Sequence, residues 1–165
     1  MAQIEKSVAT LRIFGDDLLP DEISKFLDCQ PTKSQIKGEV VRGHKTGREH
    51  TTKIGMWRIE ATDSVPENLD AQVAELLNKL PQDLAVWSKL KERFEINFFC
   101  GLFMEKTNES VSLTSATLLS LGVRGIELSL DIYCPIAEQS EGDACPCESG
   151  KTYGECCMPS PRRAQ

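Results

Sequence analysis

No stretch of the sequence reaches the run of about 18 to 20 apolar residues that a membrane helix needs, so no spanning segment and no membrane partner is expected. From Met1 through Val8 the chain carries Glu5 and Lys6 and no long apolar core, so no secretory leader is expected either. Both absences point to a cytoplasmic protein whose cysteines stay reduced. Histidine is scarce: His44 and His50 are the only two. Their H-x5-H spacing lacks a third ligand nearby, and metal sites need three or four, so both read as solvated loop residues. The signatures G-x-S-x-G and G-x-G-x-x-G are missing. Gly150-Lys151-Thr152 resembles the end of a phosphate-binding P-loop, but Cys145 stands where that loop requires its first glycine. A net charge of −6 argues against general attraction to nucleic acid or an anionic membrane.

What is present fits one modest domain with an appendage: 165 residues, 40% hydrophobic and 27% charged. Val8 to Phe14 alternates as a strand, with Leu11 and Ile13 on one face. Pro20 opens a short helix whose apolar side is Ile23, Phe26 and Leu27. Val40 and Val41 suggest a short edge strand, and Ile54 to Ala61 a longer one with Trp57 and Ile59 on one face. Glu67 to Leu80 is the best helix, framed by Pro66 and Pro81. A second helix directs Leu84, Trp87 and Leu90 inward, and Phe94 to Cys100 follows as a strand. Leu113 to Leu121 is a helix closed by Gly122. Ile126, Leu128, Leu130 and Ile132 then alternate with polar residues as a strand with one apolar face. The order predicts an α+β two-layer sandwich, a mixed or antiparallel sheet with helices on one face. Its expected limits are residues 1–136, with 137–142 as a polar linker and 160–165 as a frayed tail.

Within that domain the segment 33–53 carries Lys33, Lys37, Arg42, Lys45, Arg48 and Lys53 against Glu39 and Glu49. In an acidic chain it is a local positive field suited to a phosphate, an acidic peptide or RNA. The competing reading is a solvated, charge-rich loop. Trp57 offers either a stacking face or a core residue. Asp16 and Asp17 precede a helix and suit the positive end of its dipole. No catalytic set is assigned, and an enzyme in this domain is the third and least supported reading.

Seven cysteines are many for a reducing compartment. Cys29, Cys100 and Cys134 are scattered and read as small core hydrophobes. The other four are gathered as Cys145-Pro-Cys147, eight residues, then Cys156-Cys157. Four soft thiolates suit tetrahedral zinc, and a segment this small has no core to fold without metal or crosslinks. Disulfides are disfavoured by the compartment, and the C-x-x-C of a redox relay is absent. The expectation is one structural zinc held by Cys145, Cys147, Cys156 and Cys157, with no open position for substrate.

The run Cys-Pro-Cys-Glu-Ser-Gly-Lys-Thr-Tyr-Gly-Glu-Cys-Cys resembles the SEC-C motif, C-x-C-x8-C followed by Cys or His. That motif ends the bacterial SecA preprotein-translocation ATPase and occurs in other bacterial proteins. Ser149, Gly150, Lys151 and Tyr153 match its interior, and Glu148 replaces a frequent glycine. The resemblance implies a zinc-bound docking module over 143–159, of the kind that in SecA engages the SecB chaperone and has been linked to ribosomes. None of the motor's ATPase machinery is here, so motor activity does not carry over. Lys151 and Tyr153 are the expected partner contacts, since they project from a metal-fixed loop. Residues 8–133 resemble an uncharacterised bacterial domain family, through Leu11-Arg12-Ile13-Phe14-Gly15-Asp16, Pro31-Thr32, Lys37-Gly38, Trp57 and Leu130-Asp131-Ile132-Tyr133. That family implies an α+β domain and no activity.

Overall fold

The computed structural model describes residues 3–42, 47–106, 108–134, 142 and 149–156. The chain forms two compact units, Met1–Cys134 and Pro135–Gln165.

The first unit is built on β1 (Lys6–Gly15), α1 (Pro20–Leu27), β2 (Lys33–Gln35), β3 (Val40–Arg42), β4 (Glu49–Thr51), β5 (Gly55–Glu60), α2 (Leu69–Asn78), α3 (Leu84–Lys91), β6 (Glu95–Phe103), α4 (Ser115–Gly122) and β7 (Glu127–Tyr133). Five strands make one sheet in the order β2-β5-β1-β6-β7. All its neighbours are antiparallel except β6 and β7, so the sheet is mixed. The protein is therefore α+β, as its periodicities predict.

Alternation decides the faces. Ala9, Leu11 and Ile13 of β1, Trp57 and Ile59 of β5, and Ile96, Phe98, Cys100 and Leu102 of β6 all point one way and are buried. Ile23 and Leu27 of α1, Leu69, Val73, Leu76 and Leu77 of α2, Trp87 and Leu90 of α3, and Leu121 of α4 join them in one core. Each fully buried Leu, Ile, Val or Phe among them contributes about 1.5 to 3 kcal/mol by leaving water. The opposite sheet face carries Arg12, Arg58, Asn97 and Glu127 together with Phe14, Met56 and Phe99.

Helix starts follow their caps. Asn68 Oδ1 accepts from Ala71 N at 3.0 Å, so α2 begins after Asn68 rather than at Glu67. Asp83 accepts from Ala85 N at 2.9 Å and Thr114 from Thr117 N at 3.2 Å. Two helix faces differ from expectation. The buried side of α1 runs through Ile23, Ser24 and Leu27, while Phe26 is 39% exposed. At about 100° per residue, Ser24 and Phe26 flank the Ile23–Leu27 arc on opposite sides, and it is the Ser24 side that turns into the core, where Ser24 Oγ accepts from Trp57 Nε1. Leu84 is also exposed, because Val86, Trp87 and Leu90 cluster on one arc of α3 that leaves it out.

The end of α4 is a second correction. Gly122 is its last residue, and closure comes later. Gly125 N donates to Gly122 O at 3.0 Å and Ile126 N to Leu121 O at 3.1 Å, with Gly125 at φ 64°. That pair of bonds is a Schellman cap with Gly125 in the left-handed position. Leu121 and Ile126, the residues such a cap brings together, are both buried.

The segment after α1 holds more structure than one edge strand. β2 pairs with β5, while β3 and β4 form their own antiparallel hairpin, with Val40 opposite Thr51. Buried Thr52 ties its base: Thr52 N donates to Glu39 O at 2.9 Å and Gly38 N to Thr52 O at 2.9 Å. At the far edge, Ile126 is buried and Leu128 packs on the core, yet Leu130 and Ile132 are 41% and 54% exposed. The strand's apolar face is as predicted, and half of it is uncovered.

Candidate functional site

In the second unit the described residues are Gly142 and the run from Ser149 to Cys156, which includes a short helix, α5 (Tyr153–Cys156). Gly150 takes φ 75°, the left-handed conformation that lets the chain reverse there. Glu155 N donates to Thr152 O at 3.2 Å and starts the helical turn. The Ser149 hydroxyl donates to Cys156 Sγ at 3.3 Å and lies 3.5 Å from Lys151 N, which donates to it. A hydroxyl aimed at sulfur stabilises negative charge there, as an outer contact to a metal-bound thiolate does. Cys156, a sulfur donor with that support, therefore fits a zinc ligand. Cys156 and Lys151 are exposed. Cys145, Cys147 and Cys157 lie outside the described residues, and among those described no three His, Cys, Asp or Glu side chains converge.

The basic segment of the first unit is distributed over several contacts. Lys33 is exposed on β2, opposite Arg58 of β5. Lys37 pairs with Asp16, and Arg42 Nε donates to Gly47 O at 3.2 Å. Arg48 and Lys53 are exposed, and Lys45, like His44, lies outside the described residues. His50 is exposed on β4. Asp17 pairs with Arg93 at 3.0 Å, and the same guanidinium holds Glu22 at 2.8 Å. The bond from Arg93 holds the Asp17 carboxyl below its ordinary pKa. Asp16 and Asp17 thus serve ion pairs that fasten the approach to α1. Trp57 is fully buried with its Nε1 donating to Ser24 Oγ at 3.1 Å, so it offers no stacking face.

Register creates a feature that linear reading missed. Lys33, Arg58 and Arg12 stand opposite one another on β2, β5 and β1, all on the sheet face away from α1 to α4. Asn97 and Glu127 continue the row on β6 and β7. Arg12 donates through Nη2 and Nε to Asn97 Oδ1, at 2.6 and 3.2 Å, and its guanidinium lies 4.1 Å from the centre of the Phe99 ring. Burial, then Arg58, lowers the Arg12 pKa from its usual value. Arg58 Nη2 reaches Glu60 at 2.7 Å, while its buried Nε has no hydrogen-bond partner among the described residues. Like charges directly opposite repel, and an anion laid along this row would relieve that. The only linear signal is that Arg12 and Arg58 each occupy polar positions of alternating strands.

Residues 4–135 match the family described as Domain of unknown function (DUF4279). The chain belongs to this family. Residues 143–159 match the SEC-C motif, so all four clustered cysteines, Lys151 and Tyr153 fall within it. No curated protein and no solved structure matches the chain. The DUF4279 match spans every strand of the sheet and the cation row, so the row belongs to the domain and the four clustered cysteines to the appended motif. Among the described residues no helix is long and apolar enough to cross a membrane.

Proposed function

We propose that this DUF4279 protein is a cytoplasmic docking protein whose SEC-C segment folds around one structural zinc. The carrying observation is the pattern Cys145-x-Cys147-x8-Cys156-Cys157 inside the SEC-C match. Four thiolates complete a tetrahedral shell, so the metal orders the loop and performs no chemistry on substrate. Ser149 supports the reading by directing its hydroxyl at Cys156 Sγ. Lys151 and Tyr153, on the loop the metal would fix, contact a protein partner such as a SecB-like chaperone or a ribosomal protein. Native mass spectrometry of reduced full-length protein tests the metal. One zinc per chain, lost in Cys156→Ser/Cys157→Ser while the first unit stays folded, is the expected result. A metal-free wild type, or a variant that keeps its zinc, rejects it. For the docking surface, Lys151→Ala/Tyr153→Ala should weaken capture of purified SecB-type chaperone or ribosomes, and unchanged capture removes those two residues.

A second reading, oxyanion or single-stranded nucleic-acid binding, is favoured by one observation: the aligned cations Lys33, Arg58 and Arg12, the last of them over the Phe99 ring. It moves the candidate surface from the loop 33–53 to the sheet. Binding of a labelled RNA oligonucleotide should fall steeply with salt and be lost in Arg12→Ala/Arg58→Ala. No binding at low salt ends this reading.

A further inference from the structure

At the end of the sheet where β1 finishes and β6 and β7 begin, a cavity of about 540 Å³ opens to solvent, a volume usual for a small-molecule site. Four charged side chains line it: Arg12 of β1, Lys91 at the end of α3, Glu95 of β6 and Glu127 of β7. Elsewhere in this unit opposite charges close into contacts such as Lys79–Glu75 and Arg93–Asp17. Among the described residues none of these four joins an ion pair. One side chain holds two of them in place and apart. Asn97 Oδ1 accepts from Arg12 Nη2 and Nε, at 2.6 and 3.2 Å, while Asn97 Nδ2 donates to Glu127 Oε1 at 3.3 Å. The Ser129 hydroxyl also donates to Glu127 Oε1, at 3.0 Å. The rings of Phe99 and Phe14 flank the Arg12 guanidinium, with centres 4.1 and 5.4 Å away. Arg12 Nη1 and Glu127 Oε2 have no partner among the described residues, so a fixed cationic edge and a fixed anionic edge are both left for a visitor.

We propose that this cavity binds a free α-amino acid, its carboxylate on Arg12 Nη1 and its ammonium on Glu127 Oε2. Charge selects the class. Two cations and two carboxylates sum to zero, and a zwitterion meets one charge of each sign while adding none. A phosphate monoester carries about −1.5 to −2 at pH 7 and would face Glu95 and Glu127 as well as the cations. A simple amine would leave Arg12 unmatched and face Lys91. The order of groups agrees. Asn97 already spans Arg12 and Glu127 with an acceptor beside a donor, the same order in which an amino acid carries its carboxylate and ammonium. A guanidinium edge also matches a carboxylate in shape. Phe14 and Phe94 line the same cavity and give an apolar side chain a wall, while Lys91 and Glu95 remain to read a polar one. The lysine reaches its place across Gly125, where a Cβ would come within 2.6 Å of Lys91 Cδ. This inference goes beyond the zinc reading and shares only Arg12 with the cation row.

Amide chemical shifts of the isotope-labelled, full-length, zinc-supplied chain, followed as each common L-amino acid is added in turn, are the test. At least one should saturate shifts at the Asn97 and Ser129 amides with a Kd of about 1 mM or tighter. Its N-acetyl and carboxamide derivatives each lack one of the two charges and should bind about tenfold or more weakly. These probes leave the protein unaltered, so their loss of affinity cannot come from misfolding. Glu127→Gln should weaken the amino acid by a similar factor and leave RNA binding intact. Arg58→Ala breaks the cation row, so it should weaken RNA binding and leave the amino acid unchanged, which keeps the fate of the two readings separate. Amides that stay unmoved by every amino acid at about 10 mM overturn the inference. So does an N-acetyl derivative that binds as tightly as its parent, because the ammonium site would then be idle. Inorganic phosphate that binds the same amides more tightly than any amino acid overturns it as well.

Discussion

Ser7 and Gln72, 65 residues apart, bind each other from both ends: the Ser7 hydroxyl donates to Gln72 Oε1 at 2.7 Å, and Gln72 Nε2 donates to the Ser7 carbonyl at 3.2 Å. Both are almost wholly buried. The same Nε2 lies 2.8 Å from Thr62 O, and Ser7 Oγ accepts from Asn68 N at 3.3 Å. One glutamine on α2 therefore fixes the helix against β1 and against the chain leaving β5. Within an apolar core a satisfied polar pair specifies position, and a broken one is costly.

Gln72→Leu should destabilise the protein by about 2 kcal/mol, since Thr62 O and the Ser7 hydroxyl each lose a partner without regaining water. Urea unfolding would read this as a lower midpoint at unchanged slope. Gln72→Glu should do as badly, because it buries an acceptor-only carboxylate against two carbonyls.

The two glycines at the end of α4 should respond in opposite directions. Gly122 is helical, and a Cβ there would meet nothing within 4 Å. Gly122→Ala is expected to add about 0.5 to 1 kcal/mol. Gly125 holds φ 64°, and a Cβ would also press on the Lys91 side chain. Gly125→Ala should cost about 1 to 2 kcal/mol. Thermal melts of the two variants separate the roles, and a matching sign in both would refute the Schellman assignment.

The end of α4 also marks a limit of sequence as a guide. Alternation along β1, β5, β6 and β7 and the apolar spacing of α1 to α4 are local patterns, so element type could be read directly, while Phe26 and Leu84 are exposed because neighbouring elements decide which flank of an apolar arc is covered. Composition places Gly122 near the helix end, but only φ shows that Gly125 is the left-handed glycine that closes it. β2 and β4 escaped because their three residues are all polar, whereas the equally short β3 shows Val40 and Val41, and pairing with β5 and β3 holds them in place. The row of Lys33, Arg58 and Arg12 depends on inter-strand register, which is non-local. Exposure of Leu130 and Ile132 depends on how far α4 reaches. The cysteine pattern of the tail is legible because a ligand set is written in spacing alone.

Glu75 should contribute to acid sensitivity. Lys79 Nζ donates to it at 2.9 Å and Thr62 N at 3.1 Å. The Lys79 bond is the main cause of a carboxyl pKa below the usual 4.5. A depressed folded pKa gives stability that is full above the unfolded value and lost as pH falls through the folded one. Glu75→Gln should therefore be less stable than wild type at pH 7, with the gap closing as pH drops below about 4. Denaturant midpoints measured across that range check it, and a gap independent of pH would show that the carboxylate charge is immaterial.

The three cysteines outside the tail should separate by reactivity, because burial raises a thiol's pKa and withholds the thiolate that reacts. Cys100 is fully buried on β6, and burial, then the charge of Glu67, pushes its pKa up to about 12. Cys29 is half-buried, with its pKa raised by the same desolvation. Cys134 is exposed beyond β7, which departs from the expected core placement of all three. Iodoacetamide at pH 8, with peptide mapping of the zinc-loaded protein, should label Cys134 first, Cys29 more slowly and Cys100 only on unfolding. The raised pKa of Cys100 has a second consequence. In the unfolded chain the thiol ionises near 9.0 while the folded one stays protonated. Stability from this group is intact below pH 9 and declines as pH climbs toward the folded value. Cys100→Ala should lose stability through the cavity it leaves, yet its alkaline decline should be shallower than that of the wild type. An equal decline in both would assign the alkaline limb to other groups.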